Sequence, residues 1–253
     1  HGYTRNYSVY EIEDGRTIEK GEEAGLVCRD NDEVRSFLIG HNGISKKEKQ
    51  EVIDYSIKLN TTNLSPLRSG NISVRGIEDG IEGFFITPSG KKYETLKPED
   101  VVFLSLSEEK DFISWFNSGK NPSSEWRFHQ DIYKNKRTAH AIVHTHSLHA
   151  TAVSAHGKPI PAFHYMIALV GGDDIKCAEY ATFGTTELSK NIIKALENRK
   201  ACLMSNHGQL AFGVNLKQAF ELAEEVENIC HQYIIALKIG KPKILSYAEM
   251  QKI

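Results

Sequence analysis

The sequence lacks several features that would assign a function class at once. It has no run of 18 or more apolar residues, and its polar start, HGYTRNYSVYEIEDG, has no hydrophobic segment typical of a signal peptide. The cysteines are few, widely spaced and form no C-x-x-C pair; they are Cys28, Cys177, Cys202 and Cys230. We therefore expect no membrane partner, no disulfide framework and a cytoplasmic location.

Charge of one sign is also lacking. The 253 residues carry 31 Lys and Arg against 33 Asp and Glu, a formal net charge of -2, with no long run of either sign. Bulk electrostatics therefore give no reason to expect a nucleic-acid partner. Neither G-x-x-x-x-G-K-[ST] nor G-x-G-x-x-G after a strand is present, which removes the usual motif arguments for a nucleotide.

The composition is typical of a folded domain, since 40% of the residues are hydrophobic. Residues 1–43 are polar and predict an N-terminal extension of unknown role, with weak strands in YSVYEI and AGLVC. The chain does not begin with Met, so we expect the native start to differ. A helical stripe starts at Ile44 in ISKKEKQEVIDYSIKL, and residues 44–253 predict one domain.

The pattern within residues 44–253 predicts an α/β fold. Alternating or β-branched apolar runs indicate strands at NISVR (71–75), GFFIT (83–87), VVFLSL (101–106), AIVHTH (141–146) and ACLMSN (201–206). Amphipathic or capped segments indicate helices at PSSEWRFHQDIYKN with Ser123 or Ser124 as N-cap, at SLHATAVSAHG ending at Gly157, at TFGTTELSKNIIKALENRK and at NLKQAFELAEEVENICHQYIIALKIG. We expect a central mixed, largely antiparallel sheet flanked by helices in three αβα layers.

Four histidines crowd the stretch HAIVHTHSLHA. Residues i and i+2 of a strand project to one face, so His144 and His146 can converge on one ion while Thr145 points away. His207, in SNHGQ after a buried strand, is a third candidate ligand. From the residues alone, a catalytic metal site and a set of hydrogen-bonded histidines both remain open.

The remaining histidines have weaker arguments. We expect His140 to be exposed at the strand entrance and His149 to be a core residue rather than a partner of the metal ligands. His129, His156 and His231 have no convergent company in the sequence.

A carboxylate and three loops suggest a substrate site. Glu125, in PSSEW, is either an ordinary first-turn glutamate or a general base near a dication. The loops RSGNISVR, TPSGKKY and PSSEW are rich in small donors that suit a phosphate monoester, although each alone is a common turn.

Seven separated motifs carry a resemblance over about residues 45–250. They are SGNISVR, FITPSGKKYETL, PSSEWRFHQDIY, AIVHTHSLHATAVS, IPAFHYMIALVGGDDIKCAEYATFGT, NRKACLMSNHGQLAFG and AEEVENICHQYIIAL. In this order they resemble the class II aldolase/adducin family, and within it the aldolases that act on L-fuculose 1-phosphate.

The resemblance implies a zinc-dependent aldolase, with one Zn²⁺ per subunit and a homotetramer whose active sites lie between subunits. It implies reversible cleavage of a ketose 1-phosphate, foremost L-fuculose 1-phosphate, to dihydroxyacetone phosphate and L-lactaldehyde through a metal-bound enediolate. By matching motifs it assigns zinc to His144, His146 and His207, acid/base catalysis to Glu125 and Tyr165, phosphate binding to Asn71, Ser89, Gly90, Ser123 and Ser124, and the aldehyde pocket to Phe183.

Other members of the family define the alternatives. Ribulose-5-phosphate 4-epimerases resemble the chain in the histidines, but they carry an acidic residue and Thr after the paired serines, so SSEW favours the aldolase branch. Aldolases or a dehydratase acting on 5-deoxyribulose or methylthioribulose 1-phosphate, and tetronate-phosphate decarboxylases, stay open. Adducin-like non-catalytic modules tend to lose the metal histidines, which this chain retains.

Two departures from the family bear on specificity. SPLRSGN stands where the family is small and Gly/Thr-rich, and Arg68 points either to the phosphate or to solvent. We expect the family's C-terminal tail, with its further active-site tyrosine, to be missing after Ile253.

Overall fold

The computed structural model describes residues 10–13, 16–19, 31–65, 69–107 and 119–253, with side chains from residue 45 onward. Strands β1 (Tyr10–Glu13) and β2 (Arg16–Glu19) form an antiparallel hairpin, which agrees with a strand in YSVYEI. AGLVC and Arg68 lie outside the described residues.

The first helix is longer than the sequence pattern predicts. Helix α1 spans Asn31–Thr61, whereas the prediction began it at Ile44. Gly40 and Gly43 are the reason for the difference, because glycine is a poor helix former and obscures the pattern there. The division of the chain after residue 43 stays a prediction, and α1 runs across it.

A seven-stranded sheet forms the centre of the molecule. The strands of the domain are β3 (Asn71–Glu78), β4 (Ile81–Ile86), β5 (Val102–Ser105), β6 (Ala141–Thr145), β7 (Ile160–Pro161), β8 (Asp174–Ile175), β9 (Cys177–Ala178), β10 (Ala201–Met204) and β11 (Gly208–Gly213). The order in the large sheet is β5-β4-β3-β6-β11-β10-β9, and β7 pairs with β8 separately. Only the β9–β10 pair of this sheet is parallel, so the predicted mixed, largely antiparallel sheet is confirmed.

Helices cover both faces of this sheet. They are α2 (Trp126–Asn135), α3 (Leu148–Ser154), α4 (Thr186–Ala195), α5 (Leu216–Ile239) and the short α6 (Tyr247–Met250). Helices α1, α3 and α5 pack over one hydrophobic cluster and α2 and α4 over another, which gives the predicted three layers. No helix among the described residues is long and apolar enough to span a membrane.

Strand β6 shows how the sheet separates the two layers. Ala141 and Val143 belong to the cluster under α1 and α5, whereas Ile142 belongs to the cluster under α2 and α4. His144 has the parity of Ile142, and its ring lies edge-on to Phe128 of α2. The alternation of a strand therefore directs His144 toward the start of α2.

Three details of the predicted elements are wrong. Residue Glu125 is the N-cap of α2, without a side-chain cap bond, so neither Ser123 nor Ser124 caps it. Helix α3 ends at Ser154, ahead of Gly157. Strand β11 was not predicted, because a segment with glycine at both ends has the character of a turn.

Helices α4 and α5 begin at residues whose side chains cap them. Thr185 accepts a hydrogen bond from the Leu188 N–H at the start of α4. Asn215 Oδ1 accepts one from the Gln218 N–H at 2.8 Å, while Gln218 Oε1 accepts one from Val214 N–H at 3.0 Å. This reciprocal cap fixes the start of α5, the helix that packs across β6 and β11.

We predict that Asn215→Ala lowers the free energy of unfolding by about 1 kcal/mol, because an N–H of the first turn loses its acceptor. Asn215→Asp keeps an acceptor and is the matched control, expected to stay close to the unchanged protein. Urea denaturation at one fixed protein concentration measures the difference. Equal losses in the two variants would contradict the cap.

Candidate metal centre and anion-binding cavity

Four side chains from three separate segments meet at one edge of the sheet. His144 is on β6, where it pairs with Asn71 of β3 on one side and Leu210 of β11 on the other. His146 follows β6, and His207 lies in the tight turn between β10 and β11. Glu125 stands at the N-terminus of α2.

The turn that carries His207 needs glycine. A Cβ on Gly208 would lie 2.3 Å from the carbonyl oxygen of Thr145 and 3.2 Å from Cδ2 of His146. The backbone of β11 therefore approaches β6 closely enough to bring His207 beside the two other histidines.

The ligand atoms of the four residues all lie within 4.8 Å of one another. His144 Nε2 is 3.0 Å from His146 Nε2 and 3.1 Å from Glu125 Oε2, and His207 Nε2 is 3.0 Å from Glu125 Oε1. The predicted convergence of His144, His146 and His207 is therefore observed, although β6 itself ends at Thr145.

Hydrogen bonding behind the cluster shows that the residues fit a metal ion. His144 Nδ1 lies 2.8 Å from the carbonyl oxygen of Gln209, so Nδ1 must carry the proton and Nε2 presents a lone pair to the centre. Gln209 is held in turn by bonds from its Nε2 to Ser147 Oγ and to the carbonyl of Ala223. Glu125 Oε1 is buried and accepts no hydrogen bond, although His207 Nε2 lies 3.0 Å away. Three imidazoles and a carboxylate form a donor set typical of catalytic zinc sites.

The protonation states of Glu125 and His146 also suit metal binding. Burial disfavours the charged form of Glu125, but His144 and His207 outweigh it and hold the pKa of this carboxyl well below its usual range. Burial, with His144 and His207 beside it, lowers the pKa of His146 to about 3. The carboxylate is therefore ionised and His146 is neutral near pH 7, the states in which both bind metals.

A cavity of about 240 Å³ adjoins the cluster and includes Glu125 in its wall. All five residues predicted to bind phosphate line it: Asn71, Ser89, Gly90, Ser123 and Ser124. Backbone bonds from Ser89 N–H to Asn121 O and from Ser123 N–H to Thr87 O tie the two serine loops together. Hydroxyls and amides concentrated in one concave surface suit a phosphate group.

Three further residues that line this cavity, Thr87, Lys91 and Tyr93, were not predicted to bind phosphate. Lys91 Nζ forms an ion pair with Asp100 Oδ1 at 2.5 Å, and the same wall carries the Glu125 carboxylate. The twin lysines after TPSG were the available signal.

Tyr165 and Phe183 do not join the cluster within one chain. Their side chains are 53% and 64% exposed, and neither lines the cavity. Tyr165 begins a 3-10 helix, Tyr165–Val170, and its ring stacks on His164. Gly184, which follows Phe183, approaches the carbonyl oxygen of Ser124, so Phe183 stands near the rim of the cradle.

The predictions for the flanking histidines were partly wrong. His149 is half-buried rather than a core residue, donates from its backbone N–H to Glu227, and stacks on His231 at 4.0 Å. His129, thought to have no company, is fully buried and lies 2.5 Å from Asn71 Oδ1 through its Nε2. No local pattern indicates this contact, because the two residues are 58 positions apart.

Comparison with known proteins identifies the class. Residues 50–234 match the family model for the class II aldolase and adducin N-terminal domain. The chain belongs to this family, and it is an enzyme of the class II aldolase type. Class II aldolases depend on a metal, and the Glu125 and histidine cluster suits a metal ion.

Individual relatives span two substrate types. A 5-methylthioribulose-1-phosphate/5-deoxyribulose-1-phosphate aldolase of Rhodospirillum rubrum is 44% identical over 202 residues, 80% of this chain and 87% of the relative. An L-fuculose phosphate aldolase of Escherichia coli O157:H7 is 44% identical over 196 residues, 78% and 86% of the two chains. A solved structure of an L-fuculose 1-phosphate aldolase aligns with TM-score 0.72 and 39% identity over 81% of this chain and 93% of that one.

We predict that His207→Ala abolishes stoichiometric binding of a divalent metal, because a three-histidine site loses one of its ligands. His156→Ala changes an exposed histidine away from the cluster and serves as control. Elemental analysis after dialysis should find about one ion per chain in the control and far less in His207→Ala. Full occupancy in both would show that the cluster is not the metal site.

Proposed function

We propose that the protein is a zinc-dependent aldolase that reversibly cleaves a ketose 1-phosphate to dihydroxyacetone phosphate and an aldehyde. The observation that carries the proposal is the shared wall between the metal cluster and the anion cavity. Glu125 belongs to both, so a substrate held by its phosphate in the cavity has its adjoining carbons beside the acid/base residue.

His144, His146 and His207 would hold the zinc ion. When bound, zinc supplies a Lewis acid that polarises the substrate carbonyl and stabilises the negative charge of an enediolate. No Schiff-base lysine is needed, because this charge stabilisation replaces the electron sink that an imine would provide.

The phosphate would be held by Asn71, Ser89, Gly90, Ser123 and Ser124, whose hydroxyl and amide donors surround the cavity. Lys91 at the wall, although paired with Asp100, would place a positive charge near a phosphate dianion. Fixing one end of the substrate restricts the motion of the reacting carbons, which lowers the entropic part of the barrier.

Glu125 would move the carbon-bound proton. In the synthetic direction its carboxylate would remove a proton from the carbon of dihydroxyacetone phosphate. In cleavage the reverse transfer would run from the carboxyl form of Glu125, protonated from solvent, to the enediolate carbon and would yield dihydroxyacetone phosphate. The low pKa of Glu125 leaves it ionised in the metal-free protein, ready to accept the proton in the synthetic direction.

Tyr165 would remove the proton of the C4 hydroxyl during cleavage, and Phe183 would line the aldehyde pocket. Because both side chains are exposed outside the cavity of their own chain, we propose that Tyr165 acts in the site of a neighbouring subunit of a homotetramer.

Free thiols at Cys177, Cys202 and Cys230 support a reducing, cytoplasmic location.

L-Fuculose 1-phosphate, cleaved to L-lactaldehyde, is the first candidate substrate, as in the relative from Escherichia coli. 5-Deoxyribulose and 5-methylthioribulose 1-phosphate are the second, because the relative from Rhodospirillum rubrum is equally identical. All three share the 1-phosphate that the cavity suits and differ in the aldehyde they release.

We expect dihydroxyacetone phosphate to be released from at least one of these three ketose 1-phosphates and not from ribulose 5-phosphate, whose phosphate is at the other end. A coupled reductase assay over the panel, with and without a chelator, measures the release. Chelation should abolish it and added zinc restore it. Epimerisation of ribulose 5-phosphate without any cleavage would instead place the chain with the epimerases.

We predict that Glu125→Gln and Tyr165→Phe separate the two proton transfers. Glu125→Gln should slow exchange of the dihydroxyacetone phosphate proton with D2O by about 10²–10⁴-fold, the usual contribution of a general acid or base. Tyr165→Phe should reduce cleavage while exchange stays near its original rate. NMR measures exchange, and elemental analysis confirms that zinc is still bound. Unchanged exchange in Glu125→Gln would refute its role.

A further inference from the structure

A chain of buried polar side chains runs from α2 through β3 to Glu125. Asn71 Nδ2 is 2.8 Å from Glu125 Oε2, and His129 Nε2 is 2.5 Å from Asn71 Oδ1. Ser73 Oγ then lies 2.6 Å from His129 Nδ1 and 2.7 Å from the Tyr133 hydroxyl. All five side chains are buried, and those of Ser73, His129 and Tyr133, which do not line the cavity, must find their partners within the protein.

The orientation of the Asn71 amide determines the direction of every bond in this chain. Its nitrogen donates to Glu125 and its oxygen faces His129. His129 then has to donate from Nε2. If neutral, it accepts at Nδ1, and the Ser73 hydroxyl must donate to it. The Tyr133 hydroxyl donates to Ser73 in turn.

The surroundings of His129 keep the ring neutral, which the chain requires. Its ring stacks on Phe128 with centroids 4.7 Å apart and has no exposed surface. Burial, with His144 as a second cause, lowers the pKa of His129 to about 3. A protonated ring would carry a proton on Nδ1 and would turn the Ser73 and Tyr133 hydroxyls around.

We propose that His129 is a positioning residue, fixed as the Nε2–H tautomer by Ser73 and Tyr133, which locks the Asn71 amide so that its nitrogen faces Glu125. Without the His129 donor, the amide would lose one of the two hydrogen bonds that set its orientation, and a flip would become easier. The flipped amide would place its oxygen against the Glu125 carboxylate, and the repulsion would move the carboxylate from its position.

The orientation of the Asn71 amide also connects the anion cavity with Glu125. Asn71 Nδ2 has two hydrogens, one of which goes to Glu125. Because Asn71 also lines the anion cavity, the second hydrogen is available to a phosphate oxygen bound there. His129 would therefore support both phosphate binding and the placement of Glu125, and this role rests on the proposed function.

His129→Gln and His129→Met test the role as a matched pair. The Gln amide nitrogen is as many bonds from Cα as the imidazole Nε2 and keeps the donor, whereas Met has similar length and no donor. We expect His129→Met to slow exchange of the dihydroxyacetone phosphate proton by about ten-fold or more and to weaken binding of inorganic phosphate. His129→Gln should stay within about three-fold of the unchanged enzyme in both.

Loss of the fold alone would not produce this pattern. Metal content and thermal unfolding are measured for both variants, and the rescue by Gln distinguishes a lost donor from a disturbed core. If Met matches the unchanged enzyme, or if Gln is as impaired as Met, the positioning role is overturned.

A second measurement needs neither activity nor a variant. Nitrogen-15 NMR of the imidazole groups in the zinc-loaded protein should show His129 as a neutral Nε2–H tautomer between pH 6 and pH 8. An Nδ1–H tautomer or a protonated ring would overturn the proposal even if His129→Met did not fold. Because this spectrum and the inorganic phosphate titration do not depend on cleavage, failure of the proposed function remains distinguishable from failure of the positioning role.

Discussion

The burial of one carboxylate, Glu125, is the constraint around which the site is arranged. A charge taken out of water is costly unless polar groups surround it, and here the polar groups come from three parts of the chain. Asn71 approaches from β3, His144 from β6, and His207 from the turn between β10 and β11. The start of α2 places Glu125 among them, where the positive end of the helix dipole also favours an anion.

The register of the central strands determines which residues reach Glu125, and a shift of one residue would change them. Asn71 pairs with His144, and His144 pairs with Leu210, across three adjacent strands. A slip of one residue in β6 would turn His144 to the opposite layer and bring Thr145 into its place. The register is held because Ile142 and Val143 on the two faces of β6 belong to separate hydrophobic clusters, so a slip would disturb both.

Local sequence patterns predicted part of this arrangement. Alternation in AIVHTH predicted the convergence of His144 and His146, and the alternating elements predicted the layered sheet. The residues predicted to bind phosphate were inferred from the family resemblance, and in the structure they line one cavity. His129 was missed because its partners, Asn71 and Ser73, are more than fifty residues away and no period of the sequence relates them. Strand β11 was missed because Gly208, which the close approach to Thr145 requires, has the character of a turn residue.

The division between buried and exposed residues bears on substrate choice. The metal cluster and the proposed phosphate site would contact parts that the candidate ketose 1-phosphates share, so these buried groups would not distinguish one aldehyde from another. Tyr165 and Phe183, proposed to meet the aldehyde, are exposed at the surface of the chain. Relatives of equal identity act on different sugars, which is expected if specificity resides in a few rim residues rather than in the core. A neighbouring subunit that covers this rim would then define the aldehyde pocket, while the proposed proton transfer would stay with Glu125 and its buried partners.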